Sequence, residues 1–129
     1  MALDAGFGGR ALANPHVAAI VRDALLRFDG VQYRLFAWCV MPTHVHVLAE
    51  QVDGWPLDVV VQGWKSVTAR RANRLLGRSG VFWAREYFDR FVRDEAHFET
   101  TCNYILANPV SAGLCAAPED WPWSGVAGG

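Results

Sequence analysis

Hydrophobic residues recur three or four positions apart in three stretches of the chain, a spacing that predicts amphipathic helices. Asn14 and Pro15 are a favourable N-cap and first helical residue for the first stretch, which an Asp-Gly pair ends. The second predicted helix runs from Leu57 to Leu76 and stops at a Gly-Arg-Ser-Gly segment. The third covers residues 95–108, because Pro109 disfavours helical geometry at the residue before it.

Three other stretches are rich in β-branched and aromatic residues, as strands are. Residues 31–40 and 44–50 flank a turn at Met41-Pro42-Thr43, and together they predict an antiparallel hairpin. A further strand is predicted over residues 86–93. The segment after the last helix, through Trp123, is predicted to be an irregular tail packed against the body.

Length and composition indicate one domain over residues 1–129, with 52% hydrophobic residues to build a core. No apolar run approaches the roughly 20 residues of a membrane span, and there is no secretory signal pattern, so a cytoplasmic protein without membrane contact is expected. Cys39, Cys102 and Cys115 are an odd number without a CxxC pair, which favours reduced core residues over disulfides or a thiolate zinc site.

Basic residues concentrate in one window of a chain whose net charge is −1. A locally basic face suits a phosphate backbone, although a solvated helix face is the more common reason for a run of charge. The candidate nucleic-acid-binding residues are Lys65, Arg70, Arg71, Arg74, Arg78 and Arg85.

The strand after the proline turn carries His44 and His46 two positions apart. Side chains on a strand alternate between its faces, so the two imidazoles share one face while Val45 and Val47 point to the other. Two neighbouring imidazoles on a rigid strand make half of a metal site. An HxH pair also occurs in many folds without a function.

The predicted last helix offers the other half of such a site. Tyr104 and Asn108 are one turn apart and point in the same direction. An oxygen of Asn108 can complete a two-histidine site for a hard divalent cation, with Tyr104 beside it as a nucleophile that forms a covalent phosphotyrosine. The ordinary phenol pKa is about 10, so nearby positive charge is required. Taken singly, Tyr104 fits a boundary residue and Asn108 a helix end.

These motifs resemble the REP-associated tyrosine transposases, which belong to the IS200-like, single-tyrosine HUH transposases. The similar segments are MPTHVHVL (41–48), REYFDR (85–90), NYILANPV (103–110), AGL (112–114) and DWPWS (120–124). The resemblance implies an α+β, ferredoxin-like fold in which helices flank an antiparallel sheet.

The resemblance also implies a transposase that cleaves and rejoins single-stranded DNA at hairpin-forming repeats through a 5′-phosphotyrosine. It assigns His44, His46 and Asn108 as ligands of Mg²⁺ or Mn²⁺, and Tyr104 as the nucleophile. Tyr87 is the rival tyrosine, but it falls on a predicted strand, whereas Tyr104 shares a helix with Asn108.

One departure from the family concerns the start of the chain. Members usually begin with a long strand, whereas residues 1–13 show no strand alternation, so the first strand is expected to be missing, as in an N-terminally truncated copy. The alternative function is therefore a catalytically inactive protein that binds hairpin or single-stranded DNA. A homodimer is left open. Two-histidine phosphoesterases and histidine-triad hydrolases are excluded, since a second HxT or HxS motif and a third alternating histidine are lacking.

Overall fold

The computed structural model describes residues 8–83, 87–92 and 94–126, with only the backbone for residues 8–10 and 87–92. The α-helices are α1 (Pro15–Arg27), α2 (Leu57–Leu76) and α3 (Phe98–Ser111). The strands are β1 (Tyr33–Val40), β2 (His44–Gln51), β3 (Tyr87–Val92) and β4 (Ser124–Val126). Short 3-10 helices cover Gly8–Ala13, Glu95–His97 and Pro118–Asp120.

The strands form one sheet in the order β3-β2-β1-β4. The β1–β2 hairpin and the β1–β4 pair are antiparallel, which with the flanking helices confirms the α+β prediction. The remaining strand, β3, pairs with β2 in parallel. Because α2 connects β2 to β3, the chain crosses back over the sheet before it re-enters, and such a crossover produces parallel neighbours.

Helices cover both faces of the sheet. On one face, α1 and α2 pack against β1 and β2 around a large apolar cluster, which includes Val17, Leu25, Tyr33, Val45, Val47 and Trp64. On the other face, α3 packs over a smaller cluster, made of Ala37, Cys39, Met41, Leu48 and Ile105. We call this second group the α3 cluster.

A β-bulge in β1 assigns its residues to these two faces. The register pairs Leu35 with Ala49 but Ala37 with Leu48, so Phe36 is the extra residue. An extra residue shifts the alternation by one position. As a result Leu35 faces α1 and α2, whereas Ala37 faces α3.

One predicted helix end is confirmed by the structure and another is wrong. Asn14 is the N-cap of α1, as predicted, and its side chain accepts a hydrogen bond from the His16 N–H at 2.9 Å. The prediction that Pro109 ends the last helix is wrong, because α3 continues to Ser111 with Pro109 inside it. So close to the end, proline removes a single backbone bond, and the Ala112 N–H still reaches the Asn108 carbonyl at 2.9 Å.

The structure tests the prediction for the C-terminal tail, but not the prediction for the first seven residues. Residues 1–7 lie outside the described part, so the expected lack of a first strand is untested there, and residues 8–13 form a 3-10 helix. The tail does pack against the body, but it is not wholly irregular, because β4 pairs with β1 from Ala37 to Cys39.

The prediction of core thiols is confirmed for Cys39, whereas Cys102 and Cys115 are half-buried. All three are free, and Cys39 is fully buried. Its burial, with a smaller effect of Cys115, raises the pKa of the Cys39 thiol to about 12. Within the described ranges, the model contains no helix with the length and apolar character needed to cross a membrane.

Candidate active site

The two histidines of β2 lie on the face of the sheet that α3 covers, as their spacing predicts. Val45 and Val47 alternate with them and are buried in the cluster on the opposite face. The ring centroids of His44 and His46 are 4.5 Å apart, and His46 is only 3% exposed. The hydroxyl of Thr43 contacts Nδ1 of His44 at 2.9 Å and so helps to orient that ring. Sequence reasoning treated Thr43 only as part of the turn; its position next to His44 was the available signal.

Helix α3 brings Tyr104 to these histidines. Ile105, the next residue, is fully buried in the α3 cluster and fixes the helix on the sheet. The ring centroids of Tyr104 and His46 are then 5.7 Å apart, with an interplanar angle of 71°. Tyr104 nevertheless remains 54% exposed, so its phenol is accessible from solvent.

Asn108 follows one turn later on α3, beside the buried Pro109. Its side-chain NH₂ donates to the Tyr104 carbonyl at 3.4 Å. Since this bond uses the amide nitrogen, the amide oxygen is the atom of Asn108 with which it could hold a cation.

The donor set fits a divalent cation on chemical grounds. Among the described residues, no group of three or more His, Cys, Asp and Glu could hold a metal, and the amide oxygen of Asn108 is the candidate third donor beside the two imidazoles. Mixed nitrogen and oxygen donors of this kind suit a divalent cation that keeps positions for water or phosphate oxygens.

The chain has three tyrosines, and the structure separates them. Tyr33 is fully buried, and its hydroxyl donates to the Leu25 carbonyl. Burial raises the pKa of Tyr33, so it is an unsuitable nucleophile. The backbone of Tyr87 pairs with His44 across β3 and β2, and its side chain lies outside the described part. The ring of Tyr104 contacts that of His46.

His97 ends the 3-10 helix just before α3, and its contacts are with that turn. Its Nδ1 lies 3.1 Å from a carboxylate oxygen of Asp94. This bond, together with the Ala96 N–H, lowers the pKa of the Asp94 carboxyl. Asp94 therefore caps the 3-10 turn that leads into α3.

The basic candidates lie on the other side of the sheet. The buried face of α2 packs with α1 in the large cluster, and Arg70, Arg71, Arg74 and Arg78 are exposed while Lys65 is half-buried. Arg85 falls outside the described residues. The structure thus brings His44, His46 and Tyr104 together, with Asn108 one helical turn after Tyr104, but does not bring the α2 residues to them.

Comparisons of the sequence with known proteins point to one family. The family described as "Transposase IS200 like" matches residues 14–108. A Haemophilus influenzae protein provisionally named a REP-associated tyrosine transposase is 26% identical in an alignment 102 residues long that covers 71% of this chain and 58% of that protein. The REP-associated tyrosine transposase of Escherichia coli K12 is 24% identical over 106 residues, 81% of this chain and 62% of that protein.

The chain thus spans about 60% of the length of these curated relatives. No solved structure matches it significantly. The family match covers most of the chain, including both histidines, the tyrosine and the asparagine of the site. This chain belongs to the IS200-like transposase family.

Proposed function

We propose that this chain cleaves and rejoins single-stranded DNA at hairpin-forming repeats through a covalent phosphotyrosine on Tyr104. The observation that carries the proposal is the contact between the rings of Tyr104 and His46, at 5.7 Å between centroids. It joins a nucleophile on α3 to a pair of imidazoles on β2, although the two segments are far apart in the sequence.

The reaction uses the exposed phenol of Tyr104. Its oxygen attacks a backbone phosphorus and forms a P–O bond, while the bond from phosphorus to the 3′ oxygen breaks and a 3′-hydroxyl is released. The phenolic proton goes to solvent. Rejoining reverses these steps, since a 3′-hydroxyl attacks the phosphotyrosine and frees the phenol. The covalent link stores the energy of the broken bond.

The chain's own residues hold the reacting groups in place. His44, His46 and Asn108 would bind Mg²⁺ or Mn²⁺, which would supply charge neutralisation at the phosphate oxygens. The buried Ile105 and Pro109 fix the α3 residues against the sheet, so Tyr104 does not need to reorganise before it attacks.

The DNA is proposed to contact the exposed arginines of α2 as well as the site. A basic helix face neutralises phosphates, and such contacts make binding depend on salt. Because α2 lies on the opposite side of the sheet from Tyr104, the DNA must pass around the edge of the sheet to reach both. The folded stem of a hairpin on α2, continued by a single strand to Tyr104, satisfies this requirement.

The first test is the covalent adduct itself. Purified protein is incubated with Mn²⁺ and an end-labelled oligonucleotide that carries a hairpin and a single-stranded flank. The native chain should form a protein–DNA adduct that survives denaturing electrophoresis, and Tyr104→Phe should abolish it. Tyr87→Phe is the matched control and should retain the adduct. An adduct that persists in Tyr104→Phe and disappears in Tyr87→Phe would overturn the assignment.

The second test separates the enzyme from a DNA-binding protein without activity. His46→Ala should lose the adduct yet still bind the oligonucleotide, because the arginines of α2 are intact. If the native chain binds the hairpin but forms no adduct with any divalent metal, the protein is a binding module and the proposed chemistry is wrong.

A further inference from the structure

The tail that follows α3 contacts both β1 and the α3 cluster. Its residues lie beyond the part of the chain matched by the family, residues 14–108. The indole N–H of Trp121 donates a hydrogen bond to the Val40 carbonyl at 3.0 Å, although the two residues are 81 positions apart in the sequence. The Val40 N–H in turn donates to the Trp123 carbonyl at 2.7 Å. Both backbone polar groups of Val40 are therefore bonded to the tail.

Val40 is the last residue of β1, and the turn that leads to His44 begins immediately after it. The turn is closed by a bond from the Met41 N–H to the His44 carbonyl at 2.8 Å. Any shift of Val40 therefore reaches the backbone of His44 through a single hydrogen bond. The tail thereby holds the end of β1, which leads into the turn before the two histidines.

The same tryptophan also touches the helix side of the site. The ring of Trp121 packs against the α3 cluster, which contains Ile105 and, two residues after His46, Leu48. Ile105 follows Tyr104 directly, so this cluster holds the turn of α3 that carries the nucleophile. With one side chain, Trp121 thus contacts the end of β1 that leads to His44 and the apolar cluster beneath α3.

The strand that follows Trp121 makes this placement rigid. β4 pairs Gly125 with Trp38 and Ser124 with Cys39. A Cβ built on Gly125 would lie 3.1 Å from the Trp38 ring, so the strand lies as close to β1 as a glycine allows.

We infer that Trp121 is a positioning residue for the metal and nucleophile, one that keeps the His44–His46 pair and the Tyr104–Asn108 pair at working distance. The inference rests on the proposed function. The indole N–H is the essential group, because its bond to Val40 fixes the end of β1, from which the turn leads to His44, relative to the ring packed against the α3 cluster.

The test uses Trp121→Phe, which keeps an aromatic ring in the α3 cluster but removes the N–H. Trp55→Phe is the matched control, since Trp55 lies in the loop before α2 on the other side of the sheet. Mn²⁺ affinity is measured without DNA from the free-ion signal in electron paramagnetic resonance. Trp121→Phe should bind Mn²⁺ about tenfold more weakly, the lower end of what loss of a supporting partner costs a metal site. Trp55→Phe should bind as the native chain does.

A metal-free measurement separates positioning from general stability. The native chain should give a nuclear Overhauser effect between the rings of His46 and Tyr104, and Trp121→Phe should lose it while its thermal unfolding still shows a folded protein at the measurement temperature. If Trp121→Phe keeps both the ring contact and the Mn²⁺ affinity, or loses affinity only in proportion to its unfolded fraction, the inference is wrong.

Two further variants keep the test decisive. His44→Ala reports on the proposed function separately: if it binds Mn²⁺ as the native chain does, the metal site is wrong, while the ring contact still tests Trp121. If Trp121→Phe does not fold, Gly125→Ala displaces β4 from Trp38 and should also weaken Mn²⁺ binding and the ring contact. Unchanged values in a folded Gly125→Ala would contradict a role for the tail.

Discussion

At the scale of single residues, the site depends on neighbours with opposite exposures. Tyr104 is 54% exposed, whereas Ile105 beside it is fully buried. The buried residue supplies the free energy that holds the helix in place, and the exposed one is available for chemistry. His46 differs from Tyr104, because His46 and its neighbours Val45 and Val47 are all buried, the valines on the opposite face of the sheet.

Tyr33 is the residue for which the structure predicts a dependence on pH. Its hydroxyl donates to the Leu25 carbonyl, and the ring packs edge-on against Trp64 with centroids 4.9 Å apart. Burial raises the pKa of this phenol above its value in the unfolded chain. The stabilisation is therefore complete below about pH 10 and declines as the pH rises further, since the unfolded chain then releases the proton first.

Tyr33→Phe should accordingly be less stable at pH 8, by about 1 kcal/mol, the net value of a buried hydrogen bond. The difference from the native chain should shrink above pH 10, because the variant has no phenol at this position to ionise. Urea unfolding at pH 8 and at pH 10.5 measures both values. A difference that grows with pH would show that the phenol ionises more easily in the folded protein.

At the scale of elements, α3 is the piece that assembles the site. Its polar residues Tyr104 and Asn108 share one side, Ile105 packs down on the sheet, and Pro109 is also buried. The helix runs through Pro109 because only one backbone bond is lost near its end, and a left-handed Gly113, with φ of 76°, ends it two residues after Ser111. Burial of the proline thus contributes to docking instead of ending the helix early.

The docking of α3 is tested by Ile105→Val, which removes one buried methylene group. The variant should lose about 1 kcal/mol of stability, the usual cost of this change in a packed core. Leu114→Ala is the control on the exposed end of the same segment and should change stability by less than about 0.5 kcal/mol. Urea unfolding measures both. Equal losses in the two variants would indicate that α3 is not held by Ile105.

At the scale of the whole molecule, the candidate active site and the exposed arginines of α2 lie on opposite sides of the sheet. The α3 side carries His46 and Tyr104, while the α1 and α2 side carries the exposed arginines. A charge on α2 is therefore expected to change how tightly DNA binds without changing the bond-making step.

Arg70→Gln and Arg74→Gln test this separation. Each should weaken hairpin binding and reduce the slope of log affinity against log salt by about 1, as expected for one lost phosphate contact. The rate of adduct formation at saturating DNA should stay close to that of the native chain. Arg34→Gln, an exposed arginine of β1, is the charge-matched control and should leave the salt slope unchanged. An unchanged slope in both α2 variants would remove α2 from the DNA interface.

What the sequence determined by itself was local. The period of two placed His44 and His46 on one face, the spacing of four placed Tyr104 beside Asn108, and the limits of α2 followed from its periodic pattern and its closing glycine. These features depend on backbone geometry within a few residues, so the order of residue types is enough to predict them.

What only the tertiary structure decided was which distant surfaces meet. The parallel entry of β3, the bulge at Phe36, the β4 strand of the tail and the position of α2 behind the sheet all depend on which apolar faces bury one another. Burial is non-directional and depends on segments that are remote in sequence, so local periodicity carries no record of it. The contact between His46 and Tyr104 belongs to this second group, although the residue types on each side were already evident in the sequence.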